Sequence, residues 1–253
     1  MRLTVLGGSA AIPNAGAGCA GFLVEEGDTR VVIDLGPGTL GELRRHVDLA
    51  AVDAVLISHM HVDHVLDVIA LRHGLAFMPE PPPEPLTVWL PPGGEALLRA
   101  ILAPLEAWES EGTFDLRVTL REYAPAEPLS IGSIMLSFRP TVHDIPCWAI
   151  RVDGPTSSTV YGADGGPTSD LANFAREADL LIAEATLTSG DDDPDRGSLT
   201  AVEAGEFATR SDARRLLLTH IWQEHDFEAQ RGAAVTSYDG PISVAHPGLV
   251  LEV

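Results

Sequence analysis

An α/β fold is the class this sequence predicts, on three observations. Short apolar runs suited to buried strands alternate with stretches of helical period along the chain. One such run, Asp53-Ala54-Val55-Leu56-Ile57, leads directly into Ser58-His59-Met60-His61-Val62-Asp63-His64 and then into a helical stretch from Val65 to Leu71. The length of 253 residues, 45% of them apolar, is enough for one large domain or two small ones with a substantial core. The histidine-rich turn places four metal-competent side chains within the six residues 59–64. Any one of them alone would read as a helix cap or a solvated turn residue. Four together, on a strand-to-helix turn at the rim of a sheet, point to a metal site, because a rigid sheet edge holds ligands in place while leaving the metal open to substrate.

The remaining elements follow in order. Leu3 to Leu6 reads as a strand, Gly7 to Gly18 as a glycine-rich loop under the rim, and Ala20 to Glu25 with Arg30 to Leu35 as a hairpin turned at Glu26-Gly27-Asp28. Gly7-Gly8-Ser9 lacks the Lys of a phosphate-binding loop and the spacing of a dinucleotide fingerprint. Asp34 closes the run Val31-Val32-Ile33 and is placed to cap a helix from Gly36 to Leu43. Pro79 to Pro85 reads as a stiff connector before the strand Leu86 to Leu90, and Glu95 to Trp108 as a helix interrupted near Pro104. Leu129 to Ile131 and Ile134 to Arg139 form a hairpin around Gly132-Ser133. His143, Asp164 and His220 each follow a strand-like run, the last two after Ser158 to Gly162 and Arg215 to Thr219. If the second half repeats the strand-turn-helix logic of the first, all three reach the same rim. His46 and His73 lie on helical stretches and read as ordinary surface residues.

Composition narrows the function. The formal charge is −21, carried against sixteen Arg and no Lys. An acidic surface without a basic run opposes binding to nucleic acid or anionic lipid. No stretch approaches the 18 apolar residues of a membrane span. The N-terminus enters a strand directly without the features of a signal peptide, so a cytoplasmic location is expected. Cys19 and Cys147 are expected to be reduced core residues.

The pattern H-x-H-x-D-H after a hydrophobic strand resembles the signature of the metallo-β-lactamase fold hydrolases, and His143, Asp164 and His220 match that family's later motifs. The resemblance covers nearly the whole chain. It implies a single αββα sandwich over residues 1–253: two mixed β-sheets face to face, helices outside, and a dinuclear metal site at the sheet edge. It implies that His59, His61 and His143 hold one metal, that Asp63, His64 and His220 hold the other, and that Asp164 bridges them. Asp34 would orient the metal-binding turn from behind. Two divalent ions are expected; zinc leads, and manganese and iron suit the same N and O donors. Such a pair lowers the pKa of a bridging water toward ~7 and makes it the nucleophile. Two divalent ions less two carboxylates and a hydroxide leave about one positive charge, which attracts anions despite the acidic surface.

Within the family, the chain looks like the ribonuclease Z-like branch in a short form. The residues that carry this are Tyr161-Gly162-Ala163-Asp164, Ala183-Glu184-Ala185-Thr186 and Ser198-Leu199-Thr200-Ala201, the last before a helix ending near Thr209. That branch pairs its Glu-Ala-Thr loop with a His-containing loop to shuttle protons. Here Glu184 is retained, Ser198 stands where the histidine is expected, and Ala183 stands where a histidine precedes the Glu. Asp63 and Glu184 are therefore the catalytic candidates, Glu184 as the proton shuttle. Between Asp144 and Thr159 there is no insertion to form an arm that grips transfer RNA. The expected activity is metal-dependent hydrolysis of a small anionic ester, a phosphodiester first, and a carboxylic ester, lactone or thioester second. A transfer RNA 3′-processing endonuclease and a metal-stabilised binding module that lost turnover are the further alternatives. Homodimerisation is left open.

Overall fold

A computed structural model describes residues 1–253 apart from residues 111, 114, 191, 192 and 194. Two seven-stranded sheets lie face to face. The first is built from β1 (Arg2–Gly7), β2 (Gly21–Glu26), β3 (Thr29–Leu35), β4 (Ala54–Leu56), β5 (Leu86–Leu90), β6 (Val118–Glu122) and the last strand of the chain, β14 (Val250–Glu252), in the order β14-β1-β2-β3-β4-β5-β6. The second contains β7 (Leu129–Ile131), β8 (Ile134–Pro140), β9 (Trp148–Asp153), β10 (Ser158–Tyr161), β11 (Leu180–Glu184), β12 (Leu216–Thr219) and β13 (Ile242–Val244), in the order β13-β12-β11-β10-β9-β8-β7. Both sheets are mixed in the same way. Three antiparallel pairings are followed by three parallel ones, from β14 to β6 in the first sheet and from β7 to β13 in the second.

Helices cover the outer faces. The first sheet carries α1 (Thr39–His46), α2 (Val62–Val65), α3 (Asp67–Phe77) and α4 (Gly94–Glu106); the second carries α5 (Leu171–Phe174), α6 (Ala201–Arg210) and α7 (Phe227–Val235). The central parallel strands β4, β11 and β12 are buried on both faces, so their sequences are close to continuous apolar runs rather than alternating ones. In β3, Val31 and Ile33 face the layer between the sheets, whereas Val32 and Leu35 face the helices. The two outer layers differ in grain. Leu and Val fill the first, and Ala149, Ala183, Ala204 and Ala208 are among many alanines in the second.

Several details depart from the sequence reading. The helix expected from Gly36 begins at Thr39, and Asp34 does not cap it; Asp67 does, accepting the backbone N–H groups of Gly38 and Leu40 at 2.9 Å each. The helix after the histidine turn is two helices that bend at Leu66. α4 runs through Pro104 and stops two residues later, which leaves Trp108 outside the helix and 92% exposed. A proline so near a helix end removes one N–H without disrupting the turns before it. His46 is paired with Glu42 at 2.9 Å, and His73 packs against the Phe77 ring. Cys19 and Cys147 are free and buried. Among the described residues no helix is long and apolar enough to cross a membrane.

Candidate metal centre

The site is assembled at one edge, where strands of both sheets end. β4 stops at Leu56, and Tyr123 donates its hydroxyl to the carbonyls of Ile57 and Ser58 at 3.1 and 3.2 Å, which holds the chain as it leaves the sheet. Asp34 then takes the turn in hand. Its Oδ1 accepts the Ser58 backbone N–H at 2.7 Å, and its Oδ2 accepts the Ser58 hydroxyl at 2.7 Å, His64 Nδ1 at 2.7 Å and the Tyr161 hydroxyl at 2.9 Å. The packing is tight. A Cβ on Gly36 would lie 1.8 Å from the Asp63 carbonyl oxygen, so only glycine lets the chain leaving β3 pass this close to the turn.

The second sheet contributes from three separate loops. His143 follows β8, Asp164 follows β10, and His220 follows β12. The loop after β1 closes over the same edge: the Ala11 N–H donates to Asp63 Oδ2 at 2.9 Å, and Asn14 bonds the Ile221 carbonyl at 2.9 Å. Ala11, Asp34, Ala163 and His220 all have left-handed backbone with φ between 52° and 56°. Such conformations cost of order 1–3 kcal/mol each and gather where the surrounding structure fixes a functional geometry.

The donor atoms form two groups, each within 4.8 Å: His59, His61, His143 and Asp164, and Asp63, His64, Asp164 and His220. In the first, His61 Nδ1 is 3.1 Å from His59 Nε2 and 3.0 Å from His143 Nε2. In the second, Asp63 Oδ2 is 3.0 Å from His220 Nε2 and 3.5 Å from His64 Nε2. One atom belongs to both: Asp164 Oδ2 stands 3.7 Å from the Nε2 atoms of His59 and His143, 3.3 Å from that of His64 and 3.5 Å from that of His220. A tetrahedral ion with donors at about 2.0–2.2 Å separates them by roughly 3.3–3.6 Å, so the spacing fits. The orphaned atoms agree. His64 Nε2 and Asp164 Oδ1 are buried without any hydrogen-bond partner, an arrangement that is costly unless something else satisfies them.

The opposite ring nitrogens are occupied in the way a metal-ligating histidine requires. His64 Nδ1 meets Asp34, His143 Nδ1 meets the Gly197 carbonyl at 2.8 Å, His59 Nδ1 meets the Ser58 hydroxyl at 3.1 Å, and His220 Nδ1 meets the Thr186 hydroxyl at 2.8 Å. Electrostatics separate the two groups. Burial and then neighbouring imidazoles hold His59 and His61 below the usual histidine range. For His64 and His220 burial acts in the same sense, but the Asp164 carboxylate, with Asp34 and Asp63 respectively, outweighs it and raises them. Burial alone would raise Asp63 and Asp164, but the His220 and His64 imidazoles hold both well below the carboxylate range. Burial, seconded by the Asp164 charge, pushes the Glu184 carboxyl up to about 7.

All seven expected donors thus converge, and Asp34 lies behind them. Glu184 does not face the open side. It is 1% exposed, its Oε1 accepts the Gly165 N–H at 2.8 Å, and its Oε2 accepts the Thr186 hydroxyl. Ser198 adjoins Gly197, beside His143, and Ala183 is buried against the outer helices. Sequence reasoning passed over Ser58, Thr186, Tyr161 and the Ala11 N–H. Ser58, Tyr161 and Thr186 lie inside the motifs that the sequence singles out, without a role of their own there, and the Ala11 N–H had no signal at all.

A family model described as a beta-lactamase superfamily domain matches residues 29–221. An uncharacterised protein of Mycobacterium leprae is 32% identical, the match covering 100% of this chain and 89% of that protein. The probable metallo-hydrolase YhfI of Bacillus subtilis is 29% identical over the full length of both chains. The crystal structure of YhfI, a metallo-beta-lactamase fold protein, superposes with a TM-score of 0.85 at 27% identity, covering 99% of each chain. A ribonuclease Z of Myxococcus xanthus is 27% identical, covering 100% of this chain and 98% of that one.

Proposed function

This chain belongs to the β-lactamase superfamily and is a metal-dependent hydrolase, and from that premise we propose that it cleaves a small phosphodiester at a centre of two divalent ions. The observation that carries this reading is the position of Asp164 Oδ2, a single carboxylate oxygen shared by two otherwise complete donor sets. His59, His61 and His143 would hold one ion, Asp63, His64 and His220 the other, and Asp164 both; the nitrogen and carboxylate donors suit zinc. When bound, such a pair supplies Lewis acidity and a hydroxide nucleophile near neutral pH.

The chain's own residues prepare the site. Asp34 and Gly197 fix the rings of His64 and His143 with Nε2 presented, so little reorganisation is left for the reaction. The Ala11 N–H holds Asp63 Oδ2. A phosphodiester is favoured because ribonuclease Z is among the relatives and because an anionic group would suit the net positive charge that two bound divalent ions would give the site. A small substrate is favoured because a net charge of −21, with sixteen Arg and no Lys, disfavours the counterion release that drives polyanion binding.

The test is a screen of metal-loaded protein against bis(p-nitrophenyl) phosphate, cyclic nucleotides, lactones and thioesters, with precursor transfer RNA at physiological salt as a further arm. Turnover of a small diester with negligible RNA cleavage is expected. Preference for a lactone or thioester would replace the substrate class. Site-specific RNA trimming that is lost in His64→Ala would overturn the small-substrate reading, and absence of all turnover with two ions bound would point to a binding module.

A further inference from the structure

We propose that Thr186 is a positioning residue for His220: its hydroxyl, held in turn by Glu184, orients the imidazole with Nδ1 protonated and Nε2 presented to the donor set of Asp63, His64 and Asp164. The inference rests on the reading of those residues as a metal centre. It gives Glu184 a supporting role in place of proton shuttling.

His220 lies just beyond the end of β12 in left-handed backbone, with φ 56°, and its Nε2 is 3.0 Å from Asp63 Oδ2. What fixes the rotation of the ring is the atom on its far side, Thr186 Oγ1, at 2.8 Å from Nδ1. A hydroxyl has one hydrogen to give. The acceptors within reach are Glu184 Oε2 and, at 3.0 Å, the His220 carbonyl. Donation to either leaves the oxygen lone pairs free for Nδ1–H, and a carboxylate is the stronger acceptor. The neutral imidazole then carries its proton on Nδ1 and its lone pair on Nε2, which is the tautomer a ligand needs.

Glu184 braces a second ligand as well. Its other oxygen accepts the N–H of Gly165, the residue after Asp164. One buried carboxylate at the end of β11 therefore steadies both the shared carboxylate and His220. The first sheet contains the same device. Ser58 Oγ stands between His59 Nδ1, at 3.1 Å, and Asp34 Oδ2, at 2.7 Å, again an imidazole, a hydroxyl and a carboxylate in series beyond a parallel strand. Its recurrence in the second sheet, on unrelated sequence, argues for support of a ligand rather than an incidental loop contact.

The experiment compares wild type, Thr186→Val and Thr186→Ser as full-length chains. Zinc affinity is read by competition with a chromogenic chelator, and the His220 ring nitrogens by NMR of protein labelled with [15N]histidine. Val keeps the shape and removes the hydroxyl; Ser keeps the hydroxyl. Wild type should bind two ions. Thr186→Val should bind one of them about 10–100-fold more weakly, the range for loss of a partner behind a ligand, keep the other unchanged, and lose the uniform Nδ1–H signal of His220. Thr186→Ser should restore affinity and signal. Wild-type affinity for both ions in Thr186→Val, or a Thr186→Ser protein as weak as Thr186→Val, would overturn the proposal. Fewer than two ions on wild type would instead overturn the metal centre itself.

Discussion

The two donor sets share an oxygen and differ in nearly everything else. His59, His61 and His143 bring three imidazoles and no carboxylate of their own; His59 reaches Asp34 only through the Ser58 hydroxyl, and His143 is backed by the Gly197 carbonyl. Asp63, His64 and His220 include a carboxylate of their own, and both rings have a carboxylate behind them, Asp34 directly and Glu184 through Thr186. The same geometry is thus reached with different charge. A cation in the second set meets more negative charge, and so does a proton. Spacing alone would call the sets equivalent; the groups behind the rings distinguish them.

Removing the shared oxygen should have the largest effect. Asp164→Ala leaves each set one donor short, so elemental analysis should find both ions lost or weakly held and hydrolysis abolished, while His46→Ala retains two ions. Full metal retention in Asp164→Ala would remove the basis for comparing two sets joined by one atom.

pH should separate the sets next. His64 and His220 are raised by their carboxylate neighbours, so they hold protons to higher pH, and an ion entering the second set must displace them. His59 and His61 are lowered and already neutral. The sign follows: uptake by the second set releases more protons and weakens more steeply as pH falls toward 6. Calorimetry in buffers of different ionisation enthalpy can count the protons. Equal release from the two sets would mean that the outer carboxylates do not distinguish them.

The first half of this centre was far more legible than the second. Four donors within one turn are a dense signal, and β4 ahead of them is a plain apolar run. The later donors sit singly on three loops, and only their positions beyond strands, together with the family resemblance, joined them to the rest. Two functions of Asp34 were open in sequence, and only the fold decided that Asp67 caps α1. The left-handed backbone at Ala11, Ala163 and His220 had no sequence signal, because tertiary contacts rather than residue preference impose it. β6, β9, β11, β13 and β14 were also not predicted; three-residue strands such as β13 and β14 are defined by their neighbours more than by their own pattern.

The smallest expected effect concerns the thiols that lie behind the centre. Burial pushes Cys19 up to about 12, with the Asp63 charge adding to it, and pushes Cys147, whose Sγ meets the Asp164 carbonyl at 3.3 Å, higher still. Native protein at pH 8 should show no reaction with a thiol reagent, and denatured protein two equivalents. Selective labelling of Cys19 would show that the side of the centre next to Asp63 opens more readily than the side next to Asp164.

Gly36 carries a consequence for how this chain can vary. Most glycines are replaceable at a modest price, and at Gly41, Gly74 and Gly232, all on helices with no atom near a prospective Cβ, alanine should be tolerated or even favoured by about 0.5–1 kcal/mol. Position 36 has no such latitude, since the first carbon of any side chain would meet the Asp63 carbonyl at 1.8 Å. In a library selected for metal-dependent turnover, position 36 should tolerate no substitution while those three drift, although Gly36 touches no metal. Selection for the chemistry would then be recorded in a codon that encodes no side chain at all.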